Sequence, residues 1–124
     1  IARLYDDGLA ACEGLKPLPP PAGCRSNYYK YVAQLDEGID RQSFKETLRS
    51  SYGVACGGEV YELPCHRQPV FHEQDTTPAL PKAEEFCARH VCLPMSAVMT
   101  DDDAEHVVQS IHRTVAEVSR GASP

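Results

Sequence analysis

Residues 61–71 read Tyr61-Glu62-Leu63-Pro64-Cys65-His66-Arg67-Gln68-Pro69-Val70-Phe71. Pro64 and Pro69 remove backbone donors and fix φ, so this stretch is neither a central strand nor a long helix. It follows the apolar, glycine-containing run V-A-C-G-G-E-V at 54–60. That order predicts a rigid turn where a strand leaves its sheet, with Tyr61, His66 and Gln68 held in one arrangement. Tyr61 and His66 then either pin the turn through hydrogen bonds or face a ligand. A single His with no partner carboxylate in the motif is a weak acid–base signal.

Upstream, residues 27–35 alternate as a strand does. Tyr29, Tyr31, Ala33 and Leu35 share one face, and Tyr28, Lys30, Val32 and Gln34 the other. Asp36-Glu37-Gly38 is a turn, and Asp40 is placed to cap a helix running to about Tyr52. Phe44 and Leu48 face inward along that helix, and Gly53 stops it. Residues 54–60 are expected to form the second strand, with Gly57-Gly58 marking a bulge or a close backbone approach. At the N-terminal end, Ile1, Leu4, Tyr5, Leu9 and Cys12 recur at helical spacing, predicting a helix that ends by Gly14. The proline-rich run at 17–23 reads as a stiff extended connector.

Downstream, 72–78 is expected to be a polar loop. Pro81 suits the first turn of a helix whose buried stripe is Ala83, Phe86, Cys87, His90 and Val91, ended by Leu93-Pro94. Thr100 caps the last helix, and Asp101, Asp102 and Asp103 load its first turn in favour of the helix dipole. Its apolar stripe is Ala104, Val107, Val108, Ile111, Val115 and Val118, and residues 121–124 are expected to fray. The fold class is therefore α/β: a small, mainly antiparallel sheet covered by helices, in the order helix, strand, helix, strand, helix, helix.

The chain has 124 residues, enough for one domain with a real core. Its net charge of −6 and lack of a basic run argue against nucleic acid or an anionic membrane as partner. Its apolar stretches fall well short of the roughly 20 residues a spanning helix needs. No charged n-region precedes an apolar h-region, so no secretory signal is expected here. The sequence opens in mid-pattern at Ile1, without an initiator Met, as a fragment of a longer chain would. Six cysteines at 12, 24, 56, 65, 87 and 92 could form a disulfide framework. Cys12 and Cys87 instead fall on apolar helix stripes and Cys56 in an apolar run, where a free thiol serves as a small hydrophobe. Reduced thiols in a cytoplasmic protein are the expectation.

Three other arrangements bear on chemistry. Cys87, His90 and Cys92, with Cys65 and His66, could offer soft ligands to zinc, but they lack the usual paired knuckles. Cys65 beside His66 could form a nucleophile pair, although sequence neighbours diverge and no orienting group is evident. Three consecutive Asp at 101–103 could attract a divalent cation, but adjacent helical residues point in different directions. No metal site and no catalytic residue is expected in this chain.

The segment from Val60 to Pro69 resembles the Y-x-x-P-[LI]-H-x-Q-P signature of DegT/StrS-type sugar aminotransferases, fold-type I enzymes dependent on pyridoxal phosphate (PLP). Three further pieces fall in that family's order. Ser26-Asn27-Tyr28-Tyr29-Lys30-Tyr31-Val32 resembles the small-domain strand. Leu80-Pro81-Lys82-Ala83-Glu84-Glu85 resembles the L-P-x-A-E helix start. Leu93-Pro94-Met95 with Thr100-Asp101-Asp102-Asp103 resembles the closing L-P-M…T-x-x-D segment. Val60 stands where family members often carry a His, so that residue's contact is not carried over.

The resemblance covers nearly the whole chain but only the C-terminal third of such an enzyme. It implies a single small domain at 1–124, joined to a large cofactor domain of the same polypeptide by a helix at 1–16. It implies PLP in the full-length enzyme, a homodimer, and transfer of an amino group, commonly from glutamate, to a nucleotide-linked keto-sugar. Cyclitol and aminobenzoate-type enzymes share the architecture. Tyr61 and His66 are then expected nearest the substrate, with Asn27 and Tyr29 as further candidates, in orienting roles. None of Lys16, Lys30, Lys45 and Lys82 aligns with the family's cofactor-bearing lysine, so this chain alone is expected to be inactive and to hold no PLP. The apolar stripe of the first helix and the motif around Tyr61 are expected to face the large domain. A free-standing cysteine-rich binding or scaffold protein is the alternative.

Overall fold

The computed structural model describes residues 1–71 and 79–121. The polar loop expected at 72–78 lies outside the described residues, as does the stretch expected to fray at 121–124 apart from Gly121, which ends the last helix. In chain order come helix α1 (Ala2–Leu9), strand β1 (Leu15–Pro17), strand β2 (Tyr31–Leu35) and helix α2 (Arg41–Tyr52). Two single 3-10 turns follow at Cys65–Arg67 and Pro69–Phe71, then helix α3 (Pro81–Arg89), strand β3 (His90–Leu93) and helix α4 (Asp101–Gly121).

The sheet is antiparallel with β2 at its centre. Leu35 faces Leu15 on β1, and Tyr31 and Ala33 face Leu93 and Val91 on β3. The alternation along β2 follows the expectation within the strand: Tyr31, Ala33 and Leu35 are buried, and Val32 and Gln34 only partly so. The alternation fails before Tyr31. Tyr28 takes a positive φ of 51°, and the Ser26 and Asn27 side chains accept the N–H groups of Tyr28 and Tyr29 in local turns. Tyr29 is therefore thrown out of the strand and is 81% exposed.

The second strand expected at 54–60 does not form. Only Gly57 bridges to Cys92, and Gly57 and Gly58 lie exposed. Adjacent glycines offer no side chains to pack on a sheet face, which weakens a strand there. Its place beside β2 is taken by β3, whose four residues are all buried. His90 and Val91 were expected on the helix stripe of α3. They fall in β3 instead, because the chain turns extended at His90 (φ −76°, ψ 149°) with no glycine or proline between helix and strand. The first helix is also shorter than expected, ending at Leu9, and residues 15–17 pair as an edge strand before the connector begins. Pro17 is tolerated there because an edge position needs fewer ladder donors.

The buried cluster joins Tyr5 and Leu9 of α1, Phe44 and Leu48 of α2, the inner face of β2, and Ala104, Val107, Ile111 and Val115 of α4. The stripe of α1 thus does not face away: Tyr5 and Leu9 are buried against this chain's own core, and Tyr5 donates to the Pro94 carbonyl at 2.8 Å. Gly14, at φ +102°, passes so close to α4 that a Cβ there would lie 2.5 Å from a Val115 methyl. The expected caps form. Asp40 accepts from Ser43 N at 2.7 Å, Gly53 closes α2 in the left-handed region, and Thr100 and Asp103 exchange hydrogen bonds at the start of α4.

Candidate functional site

The stretch from Val54 to Phe71 begins inside the core and ends on the surface. Val54 is buried, its N–H donating to Leu48 O at 3.2 Å. Gly57 N–H donates to Cys92 O at 2.9 Å, and Gly58 O accepts the Lys30 ammonium at 2.6 Å. The Glu59 carboxylate accepts from Lys45 Nζ at 2.6 Å, with Arg41 Nε at 3.9 Å. Burial pushes Glu59 up, but the Lys45 hydrogen bond and the two neighbouring cations outweigh it and hold the carboxyl below its ordinary value.

Val60 N–H donates to His90 Nε2 at 2.9 Å. With Nε2 accepting, Nδ1 must carry the proton, which it donates to Phe86 O at 2.7 Å. Both ring nitrogens are therefore engaged and the imidazole is neutral. Burial holds its pKa below the ordinary histidine value. The Phe86 ring stacks on it, with centroids 4.3 Å apart.

Beyond this anchored stretch the chain surfaces at Tyr61, 66% exposed. Pro64 leads into the turn at Cys65–Arg67, and Gln68 Nε2 donates back to Leu63 O at 3.0 Å. His66 Nε2 lies 2.8 Å from Glu84 Oε1, which also accepts from Arg67 at 3.0 Å. The His66 hydrogen bond, then Arg67, draws the Glu84 carboxyl below its ordinary value. The partner carboxylate missing from the motif thus comes from the first turn of α3, inside the L-P-x-A-E segment. Histidine, carboxylate and guanidinium together lock the turn onto the helix.

The four candidate substrate residues are placed unequally. Tyr61 and Tyr29 present their rings to solvent. Asn27 spends its amide oxygen on Tyr29 N at 3.1 Å, and His66 spends Nε2 on Glu84. Among the described residues, no side-chain hydrogen bond or ring contact joins Tyr61, His66 and Tyr29. What ties the two segments together is Lys30, whose ammonium reaches Gly58, three residues before Tyr61. Lys30 also borders two clefts. One, of about 490 Å³, lies among Pro20, Arg25, Tyr28, Val60 and Phe86; the other, of about 480 Å³, among Tyr29, Gly57, Cys92 and Met95. Neither is lined by Tyr61 or His66.

Among the described residues, no three His, Cys, Asp or Glu side chains gather as a metal site would require. Of the zinc candidates Cys87, His90, Cys92, Cys65 and His66, His90 has both nitrogens engaged within the protein. Among the described residues, no helix is long and apolar enough to cross a membrane. The six thiols are unlinked; Cys12, Cys87 and Cys92 are buried, and Cys24 and Cys65 exposed.

Comparison with known proteins gives this arrangement its context. Over 121 residues the chain is 28% identical to the spore coat polysaccharide biosynthesis protein SpsC of Bacillus subtilis (strain 168), covering 93% of this chain and 30% of that protein. The structure of an aminotransferase, TlmJ from Streptoalloteichus hindustanus, superposes with a TM-score of 0.79 at 29% identity, over 95% of this chain and 31% of that one. A DegT DnrJ EryC1 StrS aminotransferase from Brucella abortus superposes with a TM-score of 0.72 at 26% identity, over 89% of this chain and 28% of that one. The chain thus spans about 30% of the length of these relatives. The model of the DegT/DnrJ/EryC1/StrS aminotransferase family matches residues 1–112, from α1 through all three strands into α4, and the chain belongs to that family.

Proposed function

We propose that this chain is the C-terminal part of a PLP-dependent aminotransferase that moves an amino group from glutamate to a nucleotide-linked keto-sugar. One observation carries the reading: the family match runs along residues 1–112, while the chain accounts for only about 30% of its relatives' length.

The residues present do not make a PLP site by themselves. Such a site needs a lysine free to attach the cofactor, an acid at the pyridine nitrogen and a cradle for the phosphate. Lys16 pairs with Asp36, Lys30 donates to Gly58, and Lys45 pairs with Glu59. Lys82 stands exposed at the start of α3, and neither cleft beside Lys30 includes an Asp or Glu. When bound, PLP supplies the electron sink that lets an amino group exchange with a carbonyl; in this reading the remainder of the polypeptide holds it.

This chain's share is then to close the cleft and orient the acceptor. Tyr61 offers a phenol donor at the surface, and His66 is held by Glu84 so that its turn keeps one shape. Tyr29 and Asn27 would border the substrate from the turn before β2. The apolar side chains exposed at Tyr61, Leu63, Val70 and Leu80 support a surface that the rest of the polypeptide, within a homodimer, would cover. A cytoplasmic location is part of the same reading.

The test is full-length protein incubated with PLP, glutamate and, in turn, UDP-, TDP- and GDP-linked 4-keto-6-deoxyhexoses. The reading expects 2-oxoglutarate and an amino-sugar nucleotide in equal amounts with at least one acceptor. Protein that binds PLP yet aminates none of them would refute the substrate class, and protein that binds no PLP would refute the whole reading.

A further inference from the structure

The four residues before Tyr61 are tied one by one. Gly57 is bonded to the Cys92 backbone, Gly58 to Lys30, Glu59 to Lys45 and Arg41 of α2, and Val60 to His90 of β3. Regular structure does not account for this, since Gly57 makes only a single bridge. Hydrophobic packing does not either, because Gly57 and Gly58 are exposed and Val60 is only half-buried. The side chains doing the holding are placed at a cost. The Glu59 side chain is 5% exposed, and a carboxylate taken out of water is unfavourable until paired. Buried ion pairs contribute little net stability, so their retention is better explained by the geometry they fix. His90, fully buried, is likewise kept neutral with a free lone pair on Nε2 for one backbone N–H.

We infer that the Lys45–Glu59 pair and His90 are positioning residues for Tyr61, fixing the backbone from which its phenol is presented to the acceptor sugar. The inference rests on the reading that Tyr61 faces the substrate. Glu59 holds the segment from the α2 side and His90 from the sheet side, so the Glu59–Val60 peptide, one residue before Tyr61, cannot rotate about one anchor while the other stays in place. The phenol itself makes no hydrogen bond among the described residues, which leaves its hydroxyl available to a ligand.

The experiment uses full-length protein and the keto-sugar nucleotide it turns over. Glu59→Gln keeps the shape of the side chain and removes its charge. His90→Leu removes the acceptor, and His90→Gln restores one within reach of Val60 N–H. Each is measured alone and combined with Tyr61→Phe. Glu59→Gln and His90→Leu should each raise the acceptor KM by about tenfold with kcat little changed, as expected when ground-state and transition-state binding fall together. His90→Gln should recover most of the loss. In the Tyr61→Phe background both increments should vanish, because residues acting through one group are non-additive. Amide exchange at Val60 should also rise by about tenfold in both variants while α4 stays protected. If Tyr61→Phe raises KM but the other variants leave it unchanged, or their effects simply add, the positioning role is overturned and the reading of Tyr61 stands. If Tyr61→Phe itself leaves KM unchanged, the reading of Tyr61 fails and the inference falls with it.

Discussion

His90 Nε2 accepts the backbone N–H of Val60 at 2.9 Å, while its Nδ1–H is committed to Phe86 O at 2.7 Å. One buried ring therefore joins the end of α3, the edge of the sheet and the segment leading to Tyr61. The arrangement works only for a neutral imidazole, since a second ring proton would meet the Val60 N–H head on.

A pH dependence of stability follows from that ring. Burial depresses the folded-state pKa of His90 below the ordinary value of about 6.5. Between the two values the unfolded chain binds more protons, so the stabilising contribution is present above about pH 6.5 and is lost as pH falls towards the folded pKa. Urea unfolding of wild type and His90→Gln at pH 7.5 and 5.5 should show a steeper acid loss in the wild type. Equal losses would mean the ring accepts its second proton without penalty.

Thr114 lies fully buried on α4, and its hydroxyl has no hydrogen-bond partner among the described residues. An unsatisfied buried hydroxyl carries a desolvation cost that an isosteric methyl does not. Thr114→Val should therefore stabilise the fold by about 1 kcal/mol. A lower melting temperature in the variant would show that the hydroxyl has a partner in solution.

Two glycines with positive φ should respond differently to alanine. A Cβ at Gly14 would sit 2.5 Å from Val115 and 2.8 Å from Ile39, whereas none would meet anything within 4 Å at Gly53. Gly53→Ala should cost about 1 kcal/mol for the left-handed backbone alone. Gly14→Ala adds overpacking between α4 and the turn before α2 and should cost a further 1–3 kcal/mol or so. Chemical denaturation orders the two, and a milder Gly14 variant would contradict the close approach.

The thiols should separate by burial. Cys24 and Cys65 should react with a disulfide reagent in the native protein, and Cys12, Cys87 and Cys92 only after denaturation. Cys56 should lag behind the exposed pair, since burial pushes its thiol up to about 11. Fast reaction of all six without denaturant would contradict this core, as would intact disulfides by mass spectrometry.

What the sequence shows of this fold depends on how local each signal is. Asp40, Gly53 and Thr100 act on backbone groups within three or four residues, and the helices they bound lie where expected. The 2-residue period of Tyr31, Ala33 and Leu35 is equally plain because one face of β2 is solvated less than the other. In β3, His90–Leu93 is buried throughout, so no alternation marks it, and its register with α3 imitates a continuing helix. The run at 54–60 looks apolar enough for a strand, but its glycines leave a face bare and its side-chain anchors come from partners 14 to 30 residues away. The motif around Tyr61 was legible as a rigid turn. Its rigidity comes from Glu84, 18 residues beyond His66, which no local pattern connects to it.

In the proposed reading, this chain orients an acceptor while the cofactor is held elsewhere in the polypeptide. The most direct measurement is borohydride reduction of full-length protein loaded with PLP, followed by proteolysis and mass mapping of the modified lysine. The account predicts one stoichiometric adduct on a lysine outside these 124 residues. An adduct on Lys16, Lys30, Lys45 or Lys82 would contradict it.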